Sequence, residues 1–91
     1  MNTYIISYDL LNKSLHDYSR LIEYIKTYGN WAKPLESFWL IKTSKDIGMV
    51  RDELRLRLSS NDRVVVMNVT GADWATTAVS KEITDWMQKN I

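Results

Sequence analysis

Hydrophobic positions alternate between two periods along the chain, and the changes of period mark its elements. Thr3–Asp9 (TYIISYD) is β-branched and aromatic and stops at a carboxylate, which predicts a buried strand. A loop over Leu10–Ser14 follows. Ser14 is placed to cap a helix whose apolar positions Tyr18, Leu21, Ile22, Ile25 and Tyr28 fall on one face, with Gly29 as the C-terminal stop. Trp31–Lys42 (WAKPLESFWLIK) is long for one strand, and Pro34 cannot donate to a central ladder. Two strands joined near Leu35–Glu36 suit it better, with Pro34 on the edge partner.

Ser44 then caps a second helix with Ile47, Val50, Leu54 and Leu58 inward, while Arg51, Arg55 and Arg57 mix with Asp52 and Glu53 on its outer face. Gly48 weakens that helix by about 1 kcal/mol relative to Ala. Ser59–Asp62 reads as a turn, Arg63–Thr70 (RVVVMNVT) as the clearest strand, and Gly71 as its end. Ala72–Val79 reads as a loop anchored by Trp74. Ser80 caps a last helix with Ile83, Trp86 and Met87 on one side. The order strand, helix, strand, strand, helix, strand, helix predicts an α+β domain. Its expected form is a ferredoxin-like βαββαβ sandwich, with a four-stranded antiparallel sheet, two helices on one face and an added C-terminal helix. The core is expected over 3–70 and the C-terminal loop and helix over 71–91.

Length turns this pattern into a question about assembly. Ninety-one residues make one domain with a thin core. Two helices cover only one face of the sheet, so the other face falls to the third helix or to a second subunit. With four Trp and five Tyr in so short a chain, some aromatic area must reach the surface or an interface, and a homodimer is the expectation. No apolar run approaches the roughly 20 residues of a membrane span. No leader pattern is evident and the chain has no Cys, so a cytoplasmic location is expected.

Candidate chemistry is sparse. There is no phosphate-cradling Gly loop, no HExxH motif and no Cys nucleophile, and His16 is the only His, which excludes a two-His metal site. His16, at the start of an exposed helix, reads as a surface residue. Asp9, where an apolar strand meets a loop, suits a hard-metal ligand such as Mg2+. One carboxylate holds such an ion poorly, but in a symmetric dimer with this strand near the twofold axis two copies of Asp9 can share one. The alternative is that Asp9 caps the turn Leu10–Asn12. Net charge is only +1, yet Lys42–Arg63 carries six Lys or Arg against four Asp or Glu. Lys42, Lys45, Arg51, Arg55 and Arg57 are therefore candidate phosphate contacts to RNA or double-stranded DNA, or else simply a solvated face. Trp31 and Trp39 are candidates for stacking on bases, or for core and dimer contacts.

The strand ending Tyr8-Asp9, the helix ending Tyr28-Gly29 and the run Glu36-Ser37-Phe38-Trp39 resemble the small CRISPR-associated adaptation nuclease family, second of the Cas proteins. VapD-type ribonucleases and SinR-like short proteins share the framework. The SinR-like group is the most similar, through Pro34–Trp39 and the Trp86 helix. The resemblance covers residues 3–42 by motif and continues to Thr70 by pattern. It implies a ferredoxin-like homodimer with Mg2+ between two copies of Asp9, hydrolysing a phosphodiester as an endoribonuclease or DNase. Tyr8, Ser37 and Phe38 would have positioning roles at that catalytic site. The alternative implied by the same family is a non-catalytic dimeric scaffold or protein-interaction module.

Overall fold

In the computed structural model, residues 1–11 and 15–91 are described, residues 15–17 by their backbone alone. The chain forms β1 (Asn2–Asp9), α1 (Leu15–Lys26), β2 (Trp31–Leu35), β3 (Phe38–Thr43), α2 (Ile47–Arg55), β4 (Arg63–Asn68) and α3 (Lys81–Asn90). The strands make one antiparallel sheet in the order β2-β3-β1-β4. The fold is α+β, with a four-stranded antiparallel sheet and three helices. None of the described helices is long and apolar enough to cross a membrane.

β1 organises the sheet because it pairs on both sides, Ile6 lying opposite Trp39 of β3 and Val66 of β4. Strand alternation sends Tyr4, Ile6 and Tyr8 to one face. There they form one core with Trp39 and Ile41 of β3, Leu21 and Ile25 of α1, and Val50 and Leu54 of α2. The buried Tyr4 hydroxyl is satisfied by donating to the Lys45 carbonyl at 2.8 Å, and the Trp39 indole donates to the Tyr8 hydroxyl at 3.1 Å.

The periodic stripe of α1 is as the sequence predicts, and Gly29 ends it at φ +87°, where a Cβ would be strained. The predicted Ser14 cap lies outside the described residues. The α2 cap is Asp46 rather than Ser44: its carboxylate accepts the Gly48 N–H at 2.8 Å. The residue nearer the first turn reaches the orphan donors that Ser44 does not. Ile47, expected inward, is 39% exposed at the open end of the stripe. The β2–β3 turn is Glu36–Ser37, one residue later than expected, and Ser37 takes a positive φ of 55° to close it. The pairing shifts register between Ala32 and Leu35, around Pro34. Ser80 caps α3 as predicted, accepting the Ile83 N–H.

The opposite face of the sheet is only partly covered. Thr3 Oγ1 donates to the Asn90 carbonyl, Trp86 Nε1 donates to Asn30 Oδ1 at 2.8 Å, and Asn30 Nδ2 donates to Asn90 Oδ1 at 3.1 Å. These bonds dock α3 at the β2 side, with Met87 buried beneath it. Residues 72–79 form no helix or strand. Within it Trp74, 36% exposed, faces the same apolar space as Ile5, Phe38 and Leu40.

Two positions on the predicted α2 stripe separate packing from mere periodicity. Leu54→Ala is expected to cost about 2–5 kcal/mol, since its side chain is fully buried, whereas Ile47→Ala should cost under about 1 kcal/mol. Urea unfolding of both variants checks this; equal losses would contradict the assignment of the core.

Candidate functional site

Odd-numbered residues of β1 point away from the α1–α2 core, so Thr3, Ile5, Ser7 and Asp9 define the second face of the sheet. Register adds Phe38 and Val65 opposite Ser7, Met67 opposite Ile5, and Arg63 opposite Asp9. α3 reaches the Thr3 end of this face and leaves the Asp9 end open. Asp9 is exposed there. Val65 and Met67 are 56% and 54% exposed, and Leu35 at the hairpin end is 58% exposed.

The residues singled out by motif therefore divide between the two faces. Asp9 and Phe38 share the open face. Tyr8 points the other way, is buried, and has its hydroxyl engaged by Trp39. Ser37 sits in the β2–β3 turn, where its carbonyl accepts the Tyr8 N–H at 3.4 Å. Among the described residues, no three His, Cys, Asp or Glu side chains are grouped to hold a metal. Asp62 is the nearest acidic residue along β4, but its two oxygens accept the Leu11 and Ser59 N–H groups, each at 2.8 Å. It ties the end of β1 to the α2–β4 turn. An Asp immediately before a strand, within a turn, is the sequence signal that marks it. Among the described residues the Asp9 end thus supplies one carboxylate not engaged by backbone donors, and one carboxylate binds Mg2+ only with oxygens from elsewhere.

The five basic candidates do not form one patch. Lys42 is half-buried on the open side of β3, opposite Thr3. Lys45 donates to Glu53 Oε2 at 2.7 Å. Arg51 pairs with its neighbour Asp52 at 2.9 Å. Arg55 is exposed in the last turn of α2. Arg57, past the end of the helix, lays its guanidinium 3.6 Å from the Tyr24 ring centroid and donates to the Glu53 carbonyl at 3.0 Å. Trp39 is a core residue, and half-buried Trp31 packs on it with centroids 5.1 Å apart. Lys26 and Lys33 stand over the two rings. Neither indole offers the free face that base stacking needs.

Around Glu53 the geometry perturbs titration. The Tyr28 hydroxyl donates to Glu53 Oε1 at 2.8 Å and lies 25 residues away in sequence, so periodicity gives no sign of the contact. Burial first, and then the Glu53 carboxylate, push the Tyr28 phenol up. The hydrogen bond from Lys45 holds the Glu53 carboxyl below its ordinary range, and the same bond raises Lys45. This cluster links α1, α2 and the β3–α2 loop, and its role is structural.

On the open face, Ile5, Phe38, Leu40, Trp74, Met87 and Ile91 line a cavity of about 410 Å³ between the sheet, α3 and residues 72–79. Among the described lining residues Asp73 alone carries an ionisable side chain.

The Glu53 contacts carry a pH signature. A lowered folded-state pKa contributes stability above the ordinary glutamate value and loses it as pH falls through the lowered one. Lys45, raised, contributes below the ordinary lysine value and loses that as pH rises through its own. Glu53→Gln should therefore lower Tm by about 4 °C at neutral pH, with the gap closing as pH falls through the lowered glutamate value. Thermal melts across pH check it; a gap that persists in acid would contradict the assignment. No protein-family model matches the chain, and the functional reading rests on these residues.

Proposed function

We propose that the chain is a ferredoxin-like homodimeric module, the non-catalytic scaffold form of the nucleic-acid-acting group its sequence resembles. The strand order β2-β3-β1-β4, and a core shared by α1, α2 and the even-numbered side of β1, support the fold reading. One observation carries the dimer: Val65 and Met67 stay more than half exposed on a regular strand of a thin domain. Association is the direct way to remove that apolar area from water. Three of the five basic candidates, Lys45, Arg51 and Arg57, already have partners within the chain, so phosphate contacts fall mainly to Lys42 and Arg55. Sedimentation at about 100 μM should give twice the monomer mass of 10.7 kDa. Duplex binding by this module weakens steeply with salt, and Arg55→Gln, which removes one contact from each protomer, reduces the slope by about two. A monomer at that concentration defeats the reading.

A second reading is favoured by the position of Asp9, exposed at the open end of the strand that centres the sheet. On this reading two copies of Asp9 hold one Mg2+, which polarises a phosphodiester for hydrolysis in RNA or DNA. Asp9→Asn should then abolish Mg2+-dependent cleavage while leaving Tm within about 2 °C, because Asn caps a turn nearly as well. Cleavage that survives Asp9→Asn removes Asp9 from the chemistry.

A further inference from the structure

The two edges of the sheet are not alike. β2, at one edge, carries Lys33, Pro34 without a donor, a register shift between Ala32 and Leu35, and α3 packed beside it. These are the features by which edge strands avoid pairing with other chains. β4, at the other edge, pairs with β1 without a register shift and has no Pro or Gly, and its stretch Val64–Asn68 bears no charge. Among the described residues nothing pairs with its outer side.

Two hydrogen bonds fix which β4 groups face outward. The Tyr8 N–H donates to Ser37, so the even-numbered residues of β1 bond towards β3. The Val69 N–H donates to Thr3 at 2.8 Å, so the odd-numbered residues of β1 bond to the odd-numbered residues of β4. The N–H and C=O groups of Val64, Val66 and Asn68 therefore point away from the sheet.

We propose that a second copy of this chain pairs with the β4 edge, antiparallel, about a twofold axis through Val66. The inference rests on the homodimer reading and names its interface. In this register Val66 bonds to its own counterpart and Val64 to Asn68 of the other copy twice, giving about six new hydrogen bonds. A twofold through Val65 gives about four. The Val66 register also sets Val65 against Met67 of the other copy twice, on the open face, so that the most exposed apolar side chains of the strand cover one another. No like charges fall opposite each other. The two sheets become one, with the α1–α2 layers on the same side.

This dimer keeps the two Asp9 residues apart. They are separated by three strand spacings and six residue steps, roughly 24 Å, too far for one ion. The edge dimer and the shared-Mg2+ site therefore exclude each other.

The chain has no Cys, so single-cysteine variants report the register directly. Under mild oxidation Val66→Cys should form a covalent dimer, because its Cα pair is expected at about 5.5 Å, within disulfide reach. Val65→Cys, with its Cα pair at roughly 8 Å, should not. Met67→Lys, at an exposed position, should weaken association at least tenfold with an unchanged circular dichroism spectrum. Dimeric wild type whose Val66→Cys variant does not cross-link, or whose Phe38→Cys variant cross-links instead, overturns the edge interface and leaves the homodimer reading standing. Met67→Lys that dimerises as tightly as wild type also overturns it. Wild type that sediments as a monomer overturns both.

Discussion

The fold depends on burying one face of one strand. β1 is flanked on both sides, and its even-numbered residues Tyr4, Ile6 and Tyr8 meet α1, α2 and β3 in a single cluster. At about 25 cal/mol per Å² of apolar surface, burying these three side chains is a large contribution for so short a chain. Because strand alternation has a period of two, that commitment also decides what lies on the other face. Asp9, Ser7 and Ile5 point outward because Tyr8, Ile6 and Tyr4 point inward.

The second face is consequently held by weaker and more specific means. α3 buries Met87 but is placed by polar contacts: Trp86 to Asn30, Asn30 to Asn90, and Thr3 to the Asn90 carbonyl. Asp62 performs a comparable task at the opposite end, with both carboxylate oxygens on backbone donors. Such bonds are modest in net energy but directional, and leaving their buried partners unsatisfied is costly. They leave the β4 side of the face uncovered, and that is where apolar residues stay in water.

Chemistry and assembly then compete for one surface. Asp9 lies on the open face, as Phe38 does, while Tyr8, its neighbour in the chain, is part of the core and bonds to Trp39. The arrangement gives the Asp9 end of this face an exposed carboxylate and leaves β4 as a regular strand edge with no partner among the described residues. The edge is where the proposed second copy would pair without rearrangement, since the outward donors and acceptors of Val64, Val66 and Asn68 are already aligned.

Much of this was legible in the residues themselves. β-Branched and aromatic runs marked the strands and period-3.6 patterns the helices, Gly29 and Ser80 marked ends by their own conformational and capping chemistry, and Pro34 placed β2 at an edge. Short-range geometry escaped the pattern in small ways: Asp46 rather than Ser44 caps α2, and Ser37 rather than Leu35 closes the hairpin, because caps and turns depend on which atoms reach which donors. Long-range relations were invisible. Tyr28 meets Glu53, Arg57 lies on Tyr24, and Asp62 holds Leu11, across separations that carry no periodic signal. Of the expected phosphate-binding side chains, Arg57 is turned to a distant partner in this way, while Lys45 and Arg51 meet Glu53 and Asp52 nearer in sequence. Sequence sets which residues prefer which local conformation; only the packed chain decides which distant side chains become neighbours, and so which charges remain free to act.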